Sequence, residues 1–339
     1  MSSLKDLLSG GNHLDIYLNH NCNLRCSHCF VGQQLNSMVD MTWSTFTSII
    51  DKAHIIGVSK ITLLGGEPTI YPHVSEACNY ILSKNIDEVR VVTNGTKPYS
   101  HLLDGVEDTS KIFTIFSIDG ATKQTHDTIR GEGVFDQLTT SIEKANSLGL
   151  SIAGITSLSK KNYKEIDKIM RLSDKHNLEY LNIHKTSSTG FASKKDLLSA
   201  QEWLDLRSRV IEISCDVDVP IKFDRKYVAK SEYHVLSEYQ KECFVKSGSG
   251  GNIMIYPDGR VYRCSLFMDK QDNHDYEWDD NEIVENETDN KTEKSICDSC
   301  NDGCPGISSN GMRGKSSEYT TLCMYRKEFI KDGKVSVYK

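Results

Sequence analysis

The chain has 339 residues, a formal net charge of −7, 38% hydrophobic residues and 26% charged residues. That is the balance of a folded globular protein, and its acidity excludes a broad nucleic-acid footprint. No apolar run approaches the roughly 20 residues that span a bilayer, and the opening MSSLKDLLSGGNHLD lacks the order of a signal peptide. The expected compartment is the cytoplasm, with neither membrane nor nucleic acid as partner.

In chain order, short apolar runs alternate with amphipathic stretches. Strands are predicted at His13–Asn19, Lys60–Gly65, Glu88–Thr93, Ile112–Ile118, Leu150–Thr156 and Glu179–His184. Helices are predicted at Thr42–Ile56, His73–Lys84, Phe135–Leu148, Tyr163–His176 and Ala200–Ile213. This alternation predicts an α/β fold with a parallel sheet and right-handed crossovers, and six units suit an open partial barrel better than a closed eight-fold one. We place a boundary at 215/216, with a barrel before it and a smaller module after it. In that module Ile253–Tyr256, Pro257-Asp-Gly259 and Arg260–Cys264 read as a β-hairpin. Residues 269–294, rich in Asp, Glu and Asn, read as a solvated surface loop, an acidic rim for a basic substrate being the other reading.

Eleven cysteines are too many for structural thiols in a reducing compartment, and nine of them fall in two clusters, which points to metal. The first, Asn21-Cys22-Asn-Leu-Arg-Cys26-Ser-His-Cys29, directly follows the first strand. Three thiolates on a cubane leave one iron without a protein ligand. A zinc knuckle with His28 as fourth ligand is the other reading of the spacing.

Beyond the cysteines, Gly65-Gly66-Glu67-Pro68 follows the second strand, Asn94-Gly95 ends the third, and Ser117-Ile-Asp119-Gly120 ends the fourth. Together these motifs, over residues 13–215, resemble the radical S-adenosylmethionine (SAM) superfamily. The resemblance implies a partial (β/α)6 TIM-like barrel in which Cys22, Cys26 and Cys29 hold a [4Fe–4S] cluster that cleaves SAM to a 5′-deoxyadenosyl radical. It implies that His28, where the family has an aromatic residue, faces the adenine, and that Gly65, Gly66, Glu67 and Pro68 bind the methionine amine. Asn94, Ser117 and Asp119 are implied near the ribose, and Arg130 at the SAM carboxylate, which a guanidinium pairs bidentately.

The second cluster comprises Cys243, Cys264, Cys297, Cys300, Cys304 and Cys323. Its Cys-x15-Gly-x4-Cys half resembles the SPASM/twitch extension, which carries auxiliary [4Fe–4S] clusters. The second half departs from that pattern by lacking one cysteine, so three arrangements stay open. One is a complete cluster on Cys297, Cys300, Cys304 and Cys323 beside a partly ligated one on Cys243 and Cys264. Another is a single cluster on Cys243, Cys264, Cys297 and Cys300, and a third is two three-cysteine clusters. We read two clusters, with structural zinc as the bland rival.

Cys78 and Cys215 belong to neither group and read as structural, a hydrogen-atom donor role being the sharper alternative. The layout resembles maturases of ribosomally made (RiPP) peptides, which implies a precursor-peptide substrate and an electron donor such as flavodoxin or ferredoxin. Only 21 residues precede Cys22, so a leader is expected to bind the barrel or the later module. Peptide epimerisation, formylglycine formation, dehydrogenation of a small sugar or aminocyclitol, and a non-enzymatic Fe–S module are the rival readings. Formylglycine formation is disfavoured by Ser265, which stands where an acidic residue is expected after Cys264.

Overall fold

The fold is described from a computed structural model that covers residues 4–8, 12–96, 98–225, 227–233, 253–264, 276–279, 282–285, 319–322 and 327–337. Seven strands run parallel and in sequence order: β1 (His13–Tyr17), β2 (Lys60–Leu64), β3 (Glu88–Thr93), β4 (Ile112–Ser117), β5 (Ser151–Leu158), β6 (Leu181–Lys185) and β7 (Ile221–Asp224). The helices are α1 (Leu4–Leu8), α2 (Trp43–Ile55), α3 (Val74–Ser83), α4 (Pro98–Gly105), α5 (Lys123–Arg130), α6 (Val134–Ser147), α7 (Ile166–Lys175), α8 (Ala200–Ile213) and the short α9 (Lys230–Tyr233).

The helices begin where side chains can accept orphan N–H groups. Thr42 caps α2 by accepting from the Thr45 amide, and Ser199 with Glu202 forms a reciprocal capping box at α8. Each helix then buries one stripe. Phe46, Ile49, Ile50 and Ala53 of α2 and Leu138, Ile142 and Ala145 of α6 share one core with Leu14, Ile16, Ile61, Leu63, Val89 and Val91 of the sheet. Each large side chain so buried contributes roughly 1.5–3 kcal/mol relative to exposure. The other face of the strands is half-buried, giving the alternation seen along β3 and β6.

The six strands expected from the sequence are present, with ends shifted by one or two residues. Helices α4 and α5 and the seventh strand β7 are additions. The sheet also crosses the 215/216 boundary: β7 pairs parallel with β6, and residues further on extend the sheet at both ends. These later strands are β8 (Tyr227–Ala229), β9 (Ile253–Ile255), β10 (Arg260–Tyr262), β11 (Tyr276–Asp279), β12 (Glu282–Glu285), β13 (Tyr319–Thr321), β14 (Lys327–Lys331) and β15 (Lys334–Val337). Strand β9 lies parallel beside β1, with β10, β11 and β12 antiparallel beyond it, while β14 and β15 continue antiparallel from β7. Strands β8 and β13 form a separate pair.

The hairpin predicted around Pro257-Asp-Gly259 is therefore real. Gly259 has φ +85°, and its carbonyl accepts from the Trp278 amide at 2.7 Å. The reading of 269–294 as a surface loop is corrected over 276–279 and 282–285, where β11 and β12 pair and bury Tyr276 and Ile283 in the main core. Charge density hid those few apolar anchors.

Candidate active site

All the motif loops leave the C-terminal ends of their strands, where a parallel sheet gathers its functional residues. The cysteine loop after β1 lies against the loop after β2. The Gly66 amide donates to the Asn19 carbonyl at 2.9 Å, the Glu67 amide donates to that of Asn21 at 2.8 Å, and Asn19 Nδ2 donates back to the Glu67 carbonyl at 3.0 Å. A Cβ on Gly66 would sit 2.1 Å from the Asn21 carbonyl oxygen, and one on Gly65 would sit 2.2 Å from Asn19 Oδ1. These glycines thus permit the two loops to approach each other closely.

Glu67 is buried, and its carboxylate is engaged by the protein rather than presented outward. Oε1 accepts from the Thr69 amide (3.1 Å), Thr69 Oγ1 (2.6 Å) and Thr93 Oγ1 (2.7 Å), and Oε2 accepts from the Asn94 amide (2.8 Å). Burial pushes its pKa up, and the hydrogen bonds only partly oppose this. Pro68 opens the helical turn that brings Thr69 into place. Asn94 donates from Nδ2 to Asn23 Oδ1 at 3.0 Å, and Asn23 Nδ2 donates to Thr96 Oγ1 at 2.8 Å. Asn94 thereby braces the residue next to Cys22.

From the other side comes a charged cluster. Asp119 is fully buried, and its Oδ2 accepts from Arg130 Nε at 2.6 Å and lies 3.1 Å from His28 Nε2. Its Oδ1 accepts from the Ser157 amide at 2.8 Å. Burial opposes the Asp119 charge, but Arg130 and His28 outweigh it and hold the carboxyl well below the usual range. Arg130 Nη1 also points to Cys26 Sγ at 3.9 Å. So Arg130 and Asp119, which the resemblance implies at the SAM carboxylate and ribose, pair with each other, and Arg130 also reaches Cys26. Ser117 ends β4 and is half-buried.

His126 accepts from the Asp119 amide at Nδ1, and its pKa is lowered to about 4, by burial first and then by Arg130. Burial pushes the Cys22 thiol up to about 12 and that of Cys26 up to about 11, with the Leu24 amide and Arg130 respectively acting against it.

His28 is turned to Asp119, which speaks against its completing a zinc site with the thiols. Among the described residues no three His, Cys, Asp or Glu side chains converge as they would around a single ion. A cubane has no such requirement, since its thiolates bind different irons. The donor set suits one: three cysteines on one loop, a cation against Cys26, and the Leu24 amide donating to Cys22 Sγ at 3.3 Å. Beside the loop, Ser27, His28, Ile129, Lys161, Thr186 and Ser193 line a small crevice. His28 Nδ1 and Thr186 Oγ1 are buried there without a protein partner, which suits a polar ligand.

Cys78 lies fully inside the helix–sheet core, its thiol pushed up to about 12 by burial. Cys215 is exposed at the end of α8, where the chain turns to start β7, so it sits at the opposite end of the strands from the cysteine loop. Neither position supports a hydrogen-donor role. Cys264 is buried just after β10, whereas Cys243, Cys297, Cys300, Cys304 and Cys323 lie outside the described residues. Tyr256, at the hairpin turn, stacks on Tyr17 of β1 at 4.2 Å and meets Tyr262 edge-on at 5.1 Å. Sequence reading missed Asn19, Asn23, Thr93, Ser157 and Thr186, whose contacts run between loops far apart in the chain.

Residues 16–173 match the family model described as the Radical SAM superfamily. The chain is 25% identical over 269 residues to the antilisterial bacteriocin subtilosin biosynthesis protein AlbA of Bacillus subtilis, a match covering 75% of this chain and 55% of AlbA. It is 26% identical over 160 residues to mycofactocin maturase MftC of Mycobacterium tuberculosis, covering 47% and 41% of the two chains. The chain thus spans about half the length of the curated relatives it matches. In fold it resembles Streptococcus suis SuiB bound to precursor peptide SuiA (TM-score 0.63, 17% identity, covering 78% of this chain and 62% of SuiB). It also resembles anSMEcpe with bound AdoMet and a Kp18Cys peptide (TM-score 0.54, 14% identity, 74% of each chain).

Proposed function

With residues 16–173 forming a radical SAM domain, we propose that the chain is a radical SAM enzyme that modifies a ribosomally made precursor peptide. The observation that carries this reading is the cysteine loop, locked by three strand ends and flanked by a buried Arg130–Asp119 pair. When bound, a [4Fe–4S] cluster with SAM supplies a carbon-centred radical able to remove a hydrogen atom from an unactivated position.

The chain's own residues do the positioning. Cys22, Cys26 and Cys29 hold the cluster, and Arg130 offsets thiolate charge at Cys26. Asp119 fixes Arg130 and His28, so that the imidazole sits at the ligand opening with Nδ1 available. The loop backbone at Gly65 and Gly66 offers carbonyls for the amine of SAM, while Glu67 and Asn94 keep that loop and the cysteine loop in register. Residues 216–339 carry auxiliary cluster chemistry, with Cys264 as one ligand. Similarity to proteins named for bacteriocin biosynthesis and mycofactocin maturation, and the fold shared with a protein solved with its precursor peptide, support the peptide as substrate. Among the described residues no helix is long and apolar enough to cross a membrane.

The test is anaerobic co-expression with any short peptide encoded beside the gene, followed by high-resolution mass spectrometry. A loss of two hydrogens that disappears in Cys22→Ala is the expected result. Unchanged mass with deuterium uptake from heavy water would indicate epimerisation. Neither change would overturn the peptide reading in favour of a small-molecule substrate.

A further inference from the structure

Four lysines gather beside the cysteine loop of a chain whose net charge is −7. The segments Ser159–Lys161, after β5, and Ser193–Asp196, after β6, carry Lys160, Lys161, Lys194 and Lys195 against the single acid Asp196. All four lysines are exposed. The two segments are joined, since the Lys160 amide donates to the Asp196 carbonyl at 2.8 Å. Lys161 ties them to the cysteine loop: its Nζ lies 3.0 Å from Ser27 Oγ, between Cys26 and Cys29, and 3.4 Å from Asp196 Oδ2. Glu202 is held in the α8 capping box, where the Ser199 amide first and Lys160 to a lesser extent keep its carboxyl charged.

We propose that this patch docks an acidic protein carrying a one-electron flavin or iron–sulfur centre, the reductant that the proposed radical chemistry requires. The inference rests on the radical SAM reading of the site. Charge complementarity together with place carries it: the chain bears a net −7, which repels an acidic carrier at long range, and this cationic patch is the one that adjoins Ser27 of the cysteine loop among the described residues. That surface touches the cluster-bearing loop, where an electron must arrive. Electron-transfer encounters use small, charge-steered interfaces rather than large apolar ones, and a ring of exposed lysines supplies such a surface. In the transfer one electron leaves the reduced flavin or iron–sulfur centre of the carrier and one arrives on the cluster, with no bond made or broken.

The test uses the full chain with its clusters reconstituted anaerobically, a bacterial flavodoxin as probe, and K160E/K194E/K195E, which leaves Lys161 and the site intact. Binding of oxidised flavodoxin is measured by surface plasmon resonance across a salt series. Formation of 5′-deoxyadenosine is measured with reduced flavodoxin and, separately, with dithionite. The expected result is at least about a tenfold loss of flavodoxin affinity and flavodoxin-driven rate at low salt, a wild-type affinity that weakens as salt rises, and an unchanged dithionite-driven rate. Equal flavodoxin binding by variant and wild type would overturn the proposal. So would loss of precursor-peptide binding with flavodoxin binding intact, which would give the patch to the substrate. Absence of SAM cleavage by the wild type with dithionite would overturn the radical SAM reading instead, and the binding series would still decide the docking surface.

Discussion

Around the cysteine loop the chain is held by side-chain amides, hydroxyls and two buried carboxylates: Asn19 and Asn23 on the loop, Glu67, Asn94 and Asp119 facing it. At the far end of the sheet, β14 is held by other means. It pairs along β7 over Ile221–Asp224, buries Ile330, and sets Glu328 against Arg207 (2.5 and 3.0 Å) and Arg225 (3.2 Å). Backbone pairing and apolar burial are many small contributions that survive the loss of one member. The loop depends on a few groups, each the sole partner of several others. A buried polar network of that kind fixes geometry well and tolerates little change.

The sharpest break in this contrast is Glu67→Ala. It strands the Thr69 and Asn94 amides and two hydroxyls, and at about 1–3 kcal/mol for each buried group left unsatisfied a loss of about 4 kcal/mol is expected in urea denaturation. Iron content after reconstitution should fall with it.

Asp119→Asn comes next. It leaves Arg130 buried without its counter-charge and should cost about 3 kcal/mol, with His28 freed to reorient. The same denaturation series reads the first effect and NMR of the imidazole the second.

A third prediction concerns pH. His126 has a folded pKa of about 4, below its ordinary 6.5, so the unfolded chain binds more protons between those values. Stability should therefore fall as pH drops from about 6.5 to about 4, by up to about 3 kcal/mol. Arg130, Asp119, Asp127 and His28 surround it, and His126→Gln should flatten this part of the curve. A slope that persists in that variant would assign the titration elsewhere.

The mildest effect is expected where contacts are redundant. Tyr256→Leu removes the stack on Tyr17 but leaves β9 paired with β1, and should cost about 1 kcal/mol. A loss as large as that of Glu67→Ala would erase the contrast between the two regions.

Much of the first region was legible because its signals are local. The three cysteines, Gly65-Gly66-Glu67-Pro68 and the strand ends at Asn94 and Asp119 are short runs after apolar strands, and the strands declare themselves by residue type. What those motifs touch was not legible. Glu67 accepts its four hydrogen bonds from Thr69, Thr93 and Asn94, and Arg130 lies against Asp119 and Cys26, contacts that no local pattern announces. Strand β7 was missed because four residues make too short a pattern, and β11–β12 because Tyr276, Trp278 and Ile283 stand among acids. In each case the deciding partner lies on another strand or loop, beyond the reach of sequence periodicity.

The placement of β9 beside β1 and of β14 beside β7 bears on how the chain acquires its fold. Leu14 finds its outer neighbour only in Ile253, and Ile221 only in Ile330. Such distant pairings close slowly, and until they close both flanks of the parallel sheet offer unpaired backbone to any passing strand. The growing chain therefore carries one open border at β1 until Ile253 is made, and a second at β7 until Ile330 is made.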